Sequence, residues 1–135
     1  MSDRRDFLKT AAAASLLTIS SSGMAFASGG NKTFTNIIYT KDNPGMWASK
    51  VGSHAPEVTI QGTTVQAVTK HPMSEEHFIV RHTLVLEDGT PVGATTFTPQ
   101  DKPESSYELP ADYKGKVCVT SFCNLHDFWL TEVTV

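Results

Sequence analysis

From residue 49 onward, hydrophobic and polar positions alternate at a period of two, and no ten-residue stretch carries a helical period. Residues 58–60 and 63–68 are β-branched runs parted by Gln61-Gly62. Phe78, Val80, His82, Leu84 and Leu86 alternate with Ile79, Arg81, Thr83 and Val85 up to a Glu87-Asp88-Gly89 turn, after which residues 91–98 return antiparallel. Residues 100–106 read as loop, 107–109 as a short strand, 111–116 as a turn, and 117–122 and 128–135 as the closing strands. Upstream, residues 28–48 are polar and glycine-bearing, with Ile37-Ile38-Tyr39 as a short strand. This spacing of short strands and turn signals predicts an all-β fold, an immunoglobulin-like antiparallel β-sandwich of about seven strands.

Residues 1–27 follow a different pattern. Arg4-Arg5-Asp6-Phe7-Leu8-Lys9 precedes an alanine-rich apolar run over residues 11–17 and then Ala25-Phe26-Ala27, the layout of a signal peptide with a small-residue cleavage site. The arginine pair followed by Phe-Leu-Lys looks like a twin-arginine signal, which predicts export to the periplasm and cleavage after Ala27. The apolar run falls short of the roughly 20 residues a spanning helix needs, so no membrane span is expected in the mature form. The organisation predicted is therefore a leader over 1–27, a lead-in over 28–48 and one domain over 49–135, in keeping with a length of 135 residues. Removing the leader takes Arg4, Arg5 and Lys9 against Asp3 and Asp6 and leaves 8 basic and 12 acidic residues. No basic footprint for nucleic acid remains, and an anionic substrate would need a locally positive mouth, for which Lys50, Lys70 and Arg81 are candidates.

The two cysteines, Cys118 and Cys123, would suggest a disulfide in an exported protein. Alternation along a strand over 117–122 instead points them to opposite faces, too far apart to bridge. Cys118 is expected to pack on the second face.

Two constellations carry candidate chemistry: His71-Pro72-Met73-Ser74-Glu75-Glu76-His77, and Cys123-Asn124-Leu125-His126 leading to Trp129. Each sets strong metal ligands at short spacing on predicted loops, and a sandwich clusters its loops at its ends. His54, in Ser53-His54-Ala55-Pro56, precedes the first long strand. Imidazole and thiolate together suit iron, zinc or copper, so residue type alone leaves the metal open. His82, in mid-strand, reads as structural or surface, Glu75 and Glu76 as solvated, and Trp47, Trp129, Phe78 and Phe128 as core or a lid over the ligands.

The order His-Pro-Met-x-x-x-His-Phe-Ile, then Cys-Asn-x-His-x-x-Trp, resembles the signature of the superoxide reductase family, also called desulfoferrodoxin or neelaredoxin, from about Trp47 to the end of the chain. With no cysteine before Cys118, the chain resembles the one-iron form that lacks a rubredoxin-like domain. The resemblance implies a mononuclear Fe2+/Fe3+ centre within 49–135, with His54, His71, His77 and His126 as equatorial ligands and Cys123 as the axial thiolate. It implies one-electron reduction of superoxide to hydrogen peroxide at the position opposite the thiolate, whose donation would favour product release. The sulfur would be tuned by the backbone amides of Leu125 and His126. It also implies an external electron donor of rubredoxin or cytochrome type, and leaves room for a homo-oligomer. Many members carry Glu-Lys before the histidine matched by His54, where this chain has Gly52-Ser53, and glycine where it has Asp127. Lys50 or Lys70 is then expected to supply the attraction for superoxide. The competing expectations are a non-catalytic periplasmic iron-binding redox carrier and a zinc-bound structural domain, although structural zinc usually takes four ligands rather than five.

Overall fold

The turn signals and alternating runs condense into a two-sheet sandwich in a computed structural model that describes residues 36–135. The expected leader and the start of the lead-in lie outside the described residues. β1 (Ile38–Tyr39) is followed by a 3₁₀ segment, Gly45–Lys50, that runs into a short helix, Val51–His54. Then come β2 (Glu57–Gln61), β3 (Thr64–Val68), β4 (Ile79–Leu86), β5 (Pro91–Thr96), β6 (Glu104–Glu108), β7 (Lys116–Cys123) and β8 (Asp127–Thr134). One sheet runs β1-β8-β7-β4-β5 and the other β2-β3-β6. Counted from β2, the first, second and fifth strands lie in one sheet and the third, fourth, sixth and seventh in the other, the seven-strand immunoglobulin partition except that the fourth strand pairs with the third. Every pairing is antiparallel except that of β1, which runs parallel to β8 with Ile38 opposite Phe128 and Tyr39 opposite Trp129. Among the described residues no helix is long and apolar enough to cross a membrane.

Local chemistry explains where the elements fall. Gly62, at φ +61°, makes the tight reversal that sets Gln61 opposite Thr64 in the β2–β3 hairpin. β6 begins three residues earlier than the hydrophobic pattern indicates, because its inward position there is Ser105, which bonds a buried histidine instead of filling the apolar core. β4 does not keep one phase of alternation along its length. Its pairing with β7 shifts between Ile79 and Arg81, and this bulge turns Ile79 into the interior beside Cys123 while His82, Leu84 and Leu86 stay inward further on.

The main core joins Val65, Ala67, Tyr107 and Leu109 to Leu84, Leu86, Val117 and Val119 across the two sheets. A smaller cluster of Ile79, Phe97 and Cys123, with Met73 against it, lies at the end where β4 starts and β7 finishes. The buried interior also holds a polar group. His82 is fully buried, its Nε2 lying 2.8 Å from Thr69 Oγ1 and its Nδ1 2.8 Å from Ser105 Oγ, while Thr69 Oγ1 lies 2.8 Å from Ser121 Oγ. The edge of Phe97 meets the imidazole at 4.9 Å. Both ring nitrogens are engaged, which is the condition for burying an imidazole without a large desolvation loss.

Burial pushes the His82 pKa down from 6.5 to about 4. The folded protein thus resists a proton that the unfolded chain accepts below 6.5, so this contribution to stability is intact above that pH and is lost as pH falls towards 4. Urea unfolding across that range is expected to show a loss of up to about 3 kcal/mol. His82→Gln should be less stable at neutral pH and flatter in its acid response.

Candidate metal centre

The pairing of Ile79 with Cys123 brings the loop that precedes β4 and the loop that follows β7 to the same end of the sheet. Asn124 joins them. Its backbone N–H donates to Phe78 O at 3.2 Å, its Oδ1 accepts from Phe78 N at 3.0 Å, and its Nδ2 donates to Glu76 O at 3.0 Å. The side-chain amide suits this position because it offers a donor and an acceptor at once. Within the first loop, Ser74 N donates to His77 O at 3.0 Å and His77 N to Ser74 Oγ at 3.1 Å, a reversal that turns His77 back towards His71.

His54 reaches the same place from the other sheet's approach. It closes the short helix, whose last turn is capped by Ala55 N donating to Val51 O at 3.0 Å. Pro56 ends it by favouring extended backbone at Ala55, at φ −66° and ψ 124°, and its carbonyl accepts from Thr131 Oγ1 of β8 at 2.7 Å. A four-residue helix is too short to leave a hydrophobic period, which is why alternation analysis passes over it.

The imidazole nitrogens meet in series. His54 Nε2 lies 3.1 Å from His126 Nδ1, which lies 3.0 Å from His77 Nε2, which in turn lies 3.0 Å from His71 Nε2. Cys123 Sγ is 3.7 Å from His126 Nδ1. Donor atoms of His54, His77, Cys123 and His126 all fall within 4.8 Å of one another, and His71 adjoins this group through His77. Two nitrogens that share a metal at about 2.1 Å and a right angle are about 3.0 Å apart, so the spacing fits neighbouring ligands on one ion. His54 and His77, which are not consecutive in the series, have near-parallel rings at 5.8 Å, while consecutive rings meet edge-on at 4.3–4.7 Å.

Protonation agrees with this geometry. His54 is pushed down to about 4 by burial and then by the neighbouring charges of His71 and His126. His71 and His126 are lowered by burial first and by His77 next. All three are neutral at pH 7, with lone pairs available. Ser53 Oγ lies 2.8 Å and Lys50 O 3.2 Å from His54 Nδ1, which assigns the ring proton to that nitrogen and leaves Nε2 bare towards the cluster. His71 Nδ1 is buried without a hydrogen-bond partner, and its Nε2 faces His77. Burial raises the Cys123 thiol pKa, offset in part by the backbone N–H groups of Leu125 and His126.

Around these donors, Trp129 is buried, donates from Nε1 to His126 O at 2.9 Å and lies 6.0 Å from the His54 ring. Trp47 meets His126 edge-on at 4.7 Å and donates from Nε1 to Asp127 Oδ2 at 3.0 Å. Phe128, expected as core or lid, is instead exposed and stacks on Phe122 at 4.4 Å, because β8 turns it outward. The Lys50 charge acts on His71, His126 and Cys123, whereas Lys70 Nζ pairs with Glu57 Oε1 at 3.0 Å. Glu75 and Glu76 are exposed, with Glu75 accepting from Gln100. Both cysteines are free, and β7 buries Cys123 while leaving Cys118 on the half-exposed face. Ser53, Asn124 and the Trp47–Asp127 contact are what motif reading missed. The dual hydrogen-bonding amide of Asn124, inside the Cys-Asn-x-His motif, was the available signal.

A sandwich that presents converging imidazoles and a buried thiol at one end defines a mononuclear metal-binding protein of histidine–thiolate type. The chain belongs to the desulfoferrodoxin family, whose pattern residues 44–132 match. A variant of the superoxide reductase (neelaredoxin) from Ignicoccus hospitalis is similar at 26% identity and a TM-score of 0.69, over 77% of this chain and 97% of that one. A superoxide reductase in the oxidized state is similar at 26% identity and 0.59, over 76% and 99%. The superoxide reductase from Treponema pallidum is similar at 27% identity and 0.53, over 62% and 69%. No curated protein matches the chain.

Because burial keeps the free Cys123 thiol protonated near neutrality, loading a divalent metal must displace its proton. Cobalt(II) titration in buffers of different ionisation enthalpy should register about one proton released, with affinity rising about tenfold per pH unit. Cys123→Ser should abolish that release.

Proposed function

We propose that the chain is a superoxide reductase that reduces superoxide by one electron to hydrogen peroxide. Its iron would be held by His54, His71, His77 and His126, with the Cys123 thiolate as fifth ligand. The observation that carries this reading is the series of imidazole nitrogens at 3.0–3.1 Å, the spacing of neighbouring ligands, beside a buried thiol in a desulfoferrodoxin-family sandwich. Iron bound there would supply the electron and the Lewis acidity that draws a small anion.

The chain's own residues do the remainder. Cys123 offers a thiolate whose basicity is moderated by two backbone N–H groups. Ser53 Oγ and Lys50 O hold His54 in the tautomer that directs Nε2 inward. Trp129 and Trp47 cover His54 and His126 and limit access of water. The formal net charge of −3 opposes approach of an anion, so attraction must be local. Lys50 fits that role better than Lys70. It forms no ion pair among the described residues and its charge reaches three of the proposed ligands, whereas Lys70 is neutralised by Glu57. The two protons of the product come from solvent, and an external donor of rubredoxin or cytochrome type returns the electron. Export through the twin-arginine pathway, suggested by Arg4-Arg5 and Ala25-Phe26-Ala27, would place this activity in the periplasm.

Metal analysis and a visible spectrum test the centre. One iron per chain with a thiolate charge-transfer band that Cys123→Ser removes is expected, and a colourless zinc protein would refute it. Catalytic consumption of superoxide without oxygen evolution is expected when reductant is supplied; consumption limited to one equivalent would make the chain a redox carrier. In pulse radiolysis, Lys50→Ala should slow the reaction about three- to tenfold and weaken its dependence on ionic strength, with a smaller effect from Lys70→Ala.

A further inference from the structure

We propose that Trp47 and Asp127 form a latch that positions His126 and holds the His54-bearing segment against the loop after β7. This rests on the reading of His126 as a metal ligand. The two residues are 80 positions apart, yet Trp47 Nε1 donates to Asp127 Oδ2 at 3.0 Å, the one side-chain hydrogen bond that joins Gly45–Lys50 to the Cys123–Asp127 turn among the described residues. The indole that makes this bond also stands edge-on to the His126 ring, at 4.7 Å and 85°. Trp129 fixes the backbone carbonyl of His126, and Trp47 packs against the edge of its ring, whose Nδ1 faces His54 and His77.

Backbone conformation makes Asp127 informative. Its φ is +68°, in the left-handed region where glycine is unstrained and a side chain is a burden, although aspartate and asparagine bear it best. Trp47 likewise leaves helical geometry, at φ −100° and ψ 29°, a kink inside the 3₁₀ segment. Both ends of the bond therefore sit at irregular backbone positions. The same segment continues through Lys50 to His54, whose Nε2 lies 3.1 Å from His126 Nδ1. One indole–carboxylate bond thus adds a tie, beside the Thr131–Pro56 bond, between the segments that supply two donors from distant parts of the chain. Asp127 and Trp47 are positioning residues, acting through His126 rather than on substrate.

The full chain and its D127G, D127N and W47F variants test this. D127G relaxes the backbone and removes the acceptor, D127N keeps an acceptor without the charge, and W47F keeps an aromatic ring without the N–H. In the metal-free protein, exchange of the Trp47 indole proton, followed by NMR, should be about fivefold slower in wild type and D127N than in D127G. D127G and W47F should bind ferrous iron about tenfold more weakly and broaden the ferric EPR signal, with D127N close to wild type. Affinities and EPR signals unchanged in D127G and W47F would overturn the latch, as would D127N behaving like D127G, which would assign the effect to charge. A wild-type chain that binds no iron would overturn the metal reading instead, while the indole exchange would still report on the contact.

Discussion

Four imidazoles converge at this end of the sandwich with ring nitrogens 3.0–3.1 Å apart in series, and a cation or a proton must lie between each facing pair, because two bare lone pairs at that distance repel and the burial of His54 and His71 leaves little water to screen them. The architecture at this end of the sandwich is arranged to hold that convergence. The Ile79–Cys123 pairing brings two loops together, Asn124 ties them with three hydrogen bonds, and Ser74 folds His77 back onto His71. Only His54 arrives from outside, on a helix that Pro56 ends and Thr131 anchors. Apolar packing by itself would not place nitrogens this closely. The hydrogen-bonded backbone of the loops does.

His82 shows the opposite solution to burying an imidazole. It is as buried as His54, and its pKa is likewise pushed down to about 4, yet Thr69 and Ser105 occupy both of its nitrogens. His54 has a partner only at Nδ1, and its Nε2 faces other histidines. Burial and pKa therefore do not separate a structural histidine from a candidate ligand. Where the second nitrogen points does.

The strands and their sandwich arrangement were legible in the sequence because alternation along β2, β3, β7 and β8 follows directly from which face each side chain meets. The candidate donors were legible because His71-x5-His77 and Cys123-x2-His126 are strong ligand types at short spacing. Three features were not. The start of β6 was hidden because its inward residue is Ser105, the β4 bulge because it changes phase for a single residue, and the Gly45–His54 helical stretch because it is too short for periodicity. The role of Trp47 required three-dimensional information, since nothing in local sequence links it to a residue 80 positions away.

Strand alternation in β7 puts the chain's two sulfurs on opposite sides of one strand, Cys123 inward and Cys118 on the half-exposed face. Under oxidising conditions a thiol within reach of Cys123 would be captured with it as an internal disulfide. The strand removes that partner without any dedicated shield, because five extended residues set the two Cα atoms about 16 Å apart, far beyond disulfide reach whichever face each sulfur meets. Oxidative coupling of this chain is thereby diverted from within the molecule to its surface, where Cys118 could meet only the thiol of another molecule.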